Sequence, residues 1–159
     1  MTVNRFVNKL KKLSSSGIVI KGLCVLTMLL YLYCVFNITL IERTEGVRRH
    51  VLRPLWEIST MIRSGDYRYW SCQICGNLIM LFPLGFMLPM MFERFRNIKA
   101  AAAAGFVLSL FIEFSQYFTG RGLFESDDII HNTLGACLGC IIYGIIFERL
   151  IDSDTDTEQ

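Results

Sequence analysis

The amino-acid sequence predicts an all-α membrane protein, a bundle of four transmembrane helices with a long first extracellular loop. Of its 159 residues, 53% are hydrophobic and only 19% are charged, whereas soluble domains carry about 25% charged residues. The apolar residues gather in runs of about 20, the length that a helix needs to cross a bilayer. No alternating strand pattern recurs, which favours helices over a barrel. This composition excludes a soluble enzyme, a disordered chain and a nucleic-acid-binding module.

Four segments have the length and composition of a transmembrane helix. The first has no charged residue, and two prolines interrupt the second. The third contains Glu113, and the fourth contains His131 and Asn132, so a soluble bundle of hydrophobic helices is the alternative for these two. In the fourth, Gly135 and Gly139 form a GxxxG motif, which predicts close contact with another helix. The four predicted spans are residues 22–41, 75–92, 100–118 and 129–147.

Basic residues beside the spans predict the orientation in the membrane. Residues 1–21 carry five Lys or Arg and no acid, and the loop after the second span adds three more. The positive-inside rule places both segments in the cytoplasm. An even number of spans returns the acidic tail, residues 148–159, to the same side. The first loop, residues 42–74, would then lie outside with six Arg against four acids, which we interpret as a hint of function.

Six cysteines include two CxxC pairs, Cys72 with Cys75 and Cys137 with Cys140. Four thiolates could bind zinc. However, Cys137 lies roughly 12 Å deeper in the bundle than the first pair, at about 1.5 Å per helical residue. The sequence therefore predicts no metal site and implies no cofactor. Inert packing thiols are the favoured interpretation, with a disulfide between Cys72 and Cys75 as the alternative.

Polar residues inside the spans are the candidates for function. Glu113 is the only acid within a predicted span, where a charged carboxylate costs several kcal/mol unless it is paired, protonated or in contact with water. Gln116 lies three residues later on the same helical face. Asp128 and Asn132 likewise share a face, and Asn77 lies just inside the second span. Because the helices alternate in direction, all five residues fall at one end of the bundle.

The same end carries Arg121 and Asp127, together with Arg48 and Arg49 of the first loop. Two interpretations of this cluster are open. The first is hydrogen bonding between helices, worth about 0.5 to 2 kcal/mol per bond, with Glu113 paired to an arginine. The second is a cavity for a ligand or for acid and base catalysis. Transport is less favoured because the sequence offers neither an internal repeat nor a second buried acid.

Three motifs resemble the VanZ-like family of small bacterial membrane proteins. They are GNLIMLFPLG at residues 76–85, IEFSQ at residues 112–116 and GRGLFESDDIIHNTLG at residues 120–135. The likeness extends from about residue 52 to residue 144. Glu125 stands where the family usually has Asp, and Ser126 where it usually has an apolar residue. The positions that follow the family pattern are Asn77, Glu113, Gln116, Arg121, Asp127, Asp128 and Asn132.

The resemblance implies a part in resistance to the glycopeptide teicoplanin, exerted at the cell surface, and carries no enzymatic activity with it. The first hypothesis is a protein in contact with membrane lipid that binds a lipid-linked envelope precursor or a glycopeptide. Arg48, Arg49 and Arg121 would contact its phosphate or carboxylate. The second hypothesis is an intramembrane enzyme, with Glu113, Asp127 and Asp128 as the catalytic candidates. The third is a membrane protein in which the same polar residues only stabilise the fold.

Overall fold

A computed structural model of the protein describes residues 22–43, 46 and 49–156, and for residues 148–156 it describes the backbone alone. The described part contains five α-helices and two three-residue strands, with a 3-10 turn at Glu93–Arg96. The predicted basic segment at residues 1–21 and the last three residues lie outside it. The helices are α1 Gly22–Ile41, α2 Trp56–Ser64, α3 Tyr67–Met91, α4 Ile98–Thr119 and α5 Ser126–Asp156, and the strands are β1 Arg49–Val51 and β2 Leu123–Glu125.

Four of the helices are long and apolar enough to cross a membrane: α1, α3, α4 and the part of α5 from Ser126 to Phe147. This confirms the prediction of an all-α bundle with four membrane-spanning helices. The helices alternate in direction, so α1 and α4 end where α3 and α5 begin. This end of the bundle is called the site end below.

The helices that begin at the site end start earlier than the apolar pattern predicts. α3 begins at Tyr67 rather than at residue 75, because the Asp66 carboxylate accepts a hydrogen bond from the Tyr69 N–H at 3.2 Å and caps the helix. Its first two turns are rich in polar side chains, so an apolar pattern does not include them. α3 then continues through Pro83 and Pro89. α5 begins at Ser126 rather than at residue 129.

The segment between α1 and α3 contains regular structure and is shorter than the predicted loop. It includes β1, which pairs in parallel with β2, so that Arg49 lies opposite Leu123 and Val51 opposite Glu125. It also includes α2, which ends at Gly65 in a left-handed conformation. Through the β1–β2 pairing, this segment is held to the connection between α4 and α5.

The contact between α3 and α5 is the closest in the bundle. A Cβ atom on Gly135 would overlap the backbone of Leu78, and one on Gly139 would overlap the backbone of Phe82. Gly85 of α3 meets α5 in the same way. The GxxxG prediction is confirmed, since the absence of side chains at these positions lets the two backbones approach each other.

α1 is held more loosely than α5. Only 17% of its most apolar stretch is buried within the chain, against 44% for α5. The Tyr31 hydroxyl donates a hydrogen bond to the Met80 carbonyl of α3 at 2.6 Å. The Phe36 ring packs edge-on against Phe111 of α4, with the ring centroids 6.0 Å apart. The last turn of α1, Asn37–Ile41, is a π-helical turn.

Candidate functional site

The predicted carboxylates and amides do meet at the site end. The Glu113 side chain, only 1% exposed, accepts a hydrogen bond from the Glu125 N–H at 2.8 Å. The Asn77 amide donates a hydrogen bond to Asp128 Oδ1 at 2.6 Å, and Asp128 is 7% exposed. Glu113 thus positions β2, while Asn77 links α3 to α5 at the mouth of the bundle.

Asp127 holds α2 in place. Its Oδ1 accepts a hydrogen bond from the Leu55 N–H at 2.6 Å, and its Oδ2 accepts one from the Glu57 N–H at 3.0 Å. The carboxylate therefore caps the first turn of α2, where the helix dipole favours negative charge. Leu55 adopts a left-handed conformation with φ 60°, which turns the chain into this cap. Both oxygens of this catalytic candidate are engaged with the backbone.

The cap brings Glu57 into the site, and the sequence analysis did not select this residue. Glu57 is 1% exposed and lies beside Glu125 and Asp128. One carboxylate oxygen from each of these three residues lies within 4.8 Å of the other two. We call these three residues the carboxylate cluster. In the sequence Glu57 is one of four acids in an arginine-rich loop, and no helical or strand pattern there distinguishes it from the other three.

Burial and neighbouring negative charge disfavour ionisation of Glu57 and Glu125. Burial raises the pKa of Glu57 to about 7, and the negative charges of Asp128 and Glu125 add to the rise. Burial also raises the pKa of Glu125 to about 7, an effect that Asp128 increases and Arg43 opposes. Close, buried carboxylates of this kind must be protonated or neutralised by a cation.

His131 lies against the cluster from inside the bundle. Its Nδ1 is 3.3 Å from Oε2 of Glu57, although the two groups are not aligned for a hydrogen bond. The His131 side chain is buried, with 4% of the residue exposed. Neither His131 Nδ1 nor Glu57 Oε2 has a hydrogen-bond partner among the described residues. His131 therefore lies beside the carboxylate cluster, next to a Glu57 oxygen that has no hydrogen-bond partner among the described residues.

Two neighbouring cavities open from these residues. The first, called the acidic cavity, measures about 200 Å³ and contains the carboxylate cluster, with Trp56, Tyr69 and Trp70 among its walls. The second, called the apolar cavity, measures about 470 Å³ and lies among α1, α3 and α4. Its walls are largely apolar, and its polar residues include Glu113 and Gln116. The two cavities share Arg43, Gln73, Asn77 and Asp128.

A third cavity is basic and lies beside the strands. It measures about 500 Å³ and includes Arg43, Arg49 and Arg121 in its lining. We call it the arginine groove. Since Arg43 lines all three cavities, its guanidinium connects the basic and acidic parts of the site end. Of the predicted ligand-binding arginines, Arg49 and Arg121 thus lie together, whereas Arg48 lies outside the described residues.

The remaining predicted residues join helices to one another. The Gln116 Nε2 donates a hydrogen bond to the Thr39 carbonyl at 3.0 Å, and its Oε1 has no hydrogen-bond partner among the described residues. Arg121 donates a hydrogen bond to the Leu40 carbonyl at 3.2 Å. The Asn132 Nδ2 donates one to Ser109 Oγ at 2.9 Å, linking α5 to α4. Gln116 therefore both bonds to another helix and lines the apolar cavity.

The cysteines do not form a common cluster. All six are free thiols. Cys72 and Cys75 are exposed on α3, whereas Cys140 is buried on α5, where its Sγ lies 3.5 Å from the Phe95 carbonyl at the opposite end of the bundle. The interpretation of these residues as packing thiols therefore stays a prediction.

The family of this chain follows from comparison with known proteins. The family model described as VanZ/LLP1 matches residues 20–147, which includes α1, α2, α3, α4 and the membrane-spanning part of α5. No curated protein and no solved structure matches the chain. The matched region covers most of the sequence and includes the carboxylate cluster and all three cavities. This multi-pass membrane protein therefore belongs to the VanZ/LLP1 family.

Proposed function

We propose that this protein binds a lipid-linked envelope precursor at the outer face of the bacterial cell membrane, and that it lessens the action of teicoplanin in this way. The observation that carries the proposal is the junction of an apolar cavity with a charged one through Arg43, Asn77 and Asp128. A ligand that occupies both must have an apolar chain and a polar head.

The apolar cavity suits the chain of such a ligand. Its volume of about 470 Å³ lies within the range of roughly 300 to 1,000 Å³ that is usual for small-molecule sites. Tyr31 and Ile38 of α1 line it together with Met80 and Pro83 of α3. Moving a polyprenyl chain from the bilayer into this cavity exchanges one apolar environment for another, so the selectivity must come from the polar head.

The residues at the polar end suit a phosphate or carboxylate head. Arg43 reaches both cavities, and Arg49 and Arg121 lie in the adjoining arginine groove. Guanidinium groups bind such anions through paired hydrogen bonds. Gln116 also lines the apolar cavity, and its buried amide oxygen has no hydrogen-bond partner in the described part of the chain.

The outer location is supported by the charges beside the spans. The positive-inside rule places the end opposite the site in the cytoplasm, because Arg94, Arg96 and Lys99 lie there. Teicoplanin meets peptidoglycan precursors outside the membrane. A protein that holds those precursors at the site end would therefore act on the same side as the drug.

The test fills the apolar cavity without disturbing the bundle. Gly76 lines this cavity, and a Cβ on it would meet nothing within 4 Å. We expect Gly76→Phe to reduce the polyprenyl lipid that co-purifies with the protein at least about tenfold, measured by mass spectrometry. Protection against teicoplanin in a Gram-positive host should fall with it, and vancomycin serves as the comparison drug.

The matched control is Gly144→Phe on α5, where a new Cβ would also meet nothing within 4 Å. This variant should keep both the bound lipid and the protection, at an equal level of membrane protein. If Gly76→Phe retains the lipid, the apolar cavity is not its binding site. If neither the wild-type protein nor the variants change susceptibility, the proposed role in resistance is wrong for this chain.

An intramembrane enzyme is the second candidate, and the carboxylate cluster favours it. Buried acids that hold a proton near neutral pH are suited to acid or base catalysis. An enzyme would alter the composition of the precursor pool when it is expressed, and Asp128→Asn would abolish the change. A binding protein would leave the pool unaltered.

A further inference from the structure

We propose that Glu57, Glu125 and Asp128 bind a divalent metal ion of the Mg²⁺, Mn²⁺ or Ca²⁺ class within the acidic cavity. The sequence analysis predicted no metal site from the cysteines, and it did not select Glu57. The three carboxylates come from α2, β2 and α5, so the site exists only in the folded chain.

The geometry of the cluster fits such an ion. One oxygen from each of the three residues lies within 4.8 Å of the other two. Metal–oxygen distances of about 2.0 to 2.6 Å place two ligand oxygens on one ion roughly 3 to 5 Å apart. Carboxylate oxygens with no sulfur or nitrogen among them select hard cations. The cavity of about 200 Å³ leaves room for water or for a ligand oxygen on the open side of the ion.

Unpaired polar atoms around the cluster independently indicate a bound group. Glu57 is 1% exposed, yet its Oε2 has no hydrogen-bond partner among the described residues. The Nδ1 of His131, which is not part of the cluster, is also buried without a partner there and lies 3.3 Å from that oxygen. The indole N–H of Trp56, in the same cavity wall, has no acceptor within the part of the chain that the structure describes. Buried polar groups are rarely left unpaired in folded proteins.

A cation in the acidic cavity would bind one carboxylate oxygen of Glu57. A water or anionic ligand on the ion would share this cavity with the Trp56 indole. Among the residues that the structure describes, Arg43 is the only Lys or Arg lining the acidic cavity. Arg43 and a divalent ion together would match the three carboxylates of the cluster in charge.

The site also adjoins the place proposed for the ligand head. Asp128 lines both the acidic and the apolar cavity. An ion bound to it could bridge the carboxylates to a phosphate at the end of the apolar chain. This extension rests on the proposed function, whereas the metal site itself does not.

The experiment uses Mn²⁺ alone as the probe. The full-length protein, freed of metal by a chelator and placed in nanodiscs of zwitterionic lipid, is titrated while the free-ion signal is followed by electron paramagnetic resonance. We expect one Mn²⁺ per chain, displaced by Mg²⁺ or Ca²⁺. A wild-type stoichiometry close to zero overturns the proposal and means that protons neutralise the cluster instead.

Substitutions locate the bound ion. Glu57→Gln and Glu125→Gln keep the side-chain shape, and each should weaken Mn²⁺ binding at least about tenfold. Glu125→Asp should recover most of the affinity, because it restores a carboxylate. Glu42→Gln is the matched control, since Glu42 is exposed and lines the arginine groove rather than the acidic cavity. Equal binding by Glu57→Gln and the control would place the ion elsewhere and overturn the proposal.

Thermal denaturation provides a second measurement of Mn²⁺ binding, for use where a variant folds poorly. At a concentration that saturates the wild-type protein, Mn²⁺ should raise the thermal denaturation midpoint of the wild type and of Glu42→Gln by more than that of Glu57→Gln. The titration contains no polyprenyl lipid, so its failure leaves the lipid-binding proposal untouched. Conversely, loss of bound lipid in Gly76→Phe with normal Mn²⁺ binding would leave the metal site in place.

Discussion

The two sides of α3 differ in how they meet their neighbours. Towards α5, glycines bring the two backbones into direct contact, as at Gly135 against Leu78. Towards α1, the contacts include one hydrogen bond from Tyr31 and surround a cavity of about 470 Å³. Because their backbones are in direct contact, we infer that α3 and α5 form the rigid frame of the bundle. In contrast, α1 forms a wall of the cavity and leaves space for a ligand.

The largest effect is expected from disrupting the frame. Gly139→Leu would force a side chain into the backbone of Phe82, and we expect a loss of about 3 kcal/mol in the free energy of unfolding. Gly144→Leu, where a Cβ meets nothing within 4 Å, is the control. The fraction of monodisperse protein after solubilisation in detergent measures the difference. Equal yields of the two variants would contradict the tight α3–α5 contact.

A smaller effect is expected at the cap of α2. Asp127→Ala removes the acceptor of the Leu55 and Glu57 N–H groups, and the loss of such a cap costs about 1 to 2 kcal/mol. Hydrogen exchange of the amides in α2 should quicken by roughly tenfold or more, while α3 and α5 keep their protection. Uniform loss of protection in all helices would show that Asp127 supports the frame as well.

The bond between α1 and α3 should contribute less. Tyr31→Phe removes the hydroxyl that donates to the Met80 carbonyl, and we expect a loss of about 1 kcal/mol in stability. Thermal denaturation in detergent measures the change. Phe36→Leu, which removes the edge-on contact with Phe111 while keeping an apolar side chain, distinguishes the hydrogen bond from general packing of α1. A shift with Tyr31→Phe as large as with Gly139→Leu would remove the distinction between frame and wall.

The smallest effect is expected at the exposed thiols of α3. Cys72→Ser and Cys75→Ser alter side chains that lie on the surface, so stability and Mn²⁺ binding should stay within about 0.5 kcal/mol of the wild type. Thermal denaturation with and without a reducing agent provides the measurement. A reductant-dependent shift that the Cys72→Ser variant lacks would reveal a disulfide between the two residues.

The sequence predicted the spanning helices because their apolar length is a local property. It could not predict α2, whose first turn depends on Asp127, 70 residues later in the chain. For the same reason it missed Glu57, which enters the site only because α2 forms. The tight glycine contact was predictable from the GxxxG spacing alone, since that motif has one main structural use in membranes.

The interpretation of the sequence placed Asp127 and Asp128 in the same charged cluster. Adjacent residues on a helix point about 100° apart, and the structure separates their roles accordingly. Asp127 caps α2, whereas Asp128 accepts a hydrogen bond from Asn77 and joins the carboxylate cluster. Spacing along the chain therefore identified the end of the bundle that carries the site, and tertiary contacts decide which carboxylate faces the cavity.

The bonds at the end of α1 imply an order of assembly. The Thr39 carbonyl is bonded by Gln116, 77 residues later, and the Leu40 carbonyl by Arg121, 81 residues later. A ribosome therefore delivers α1 to the membrane long before these partners exist. The cavity wall that α1 supplies can be fixed only after α4 has been translated and inserted, so the site is completed near the end of biogenesis.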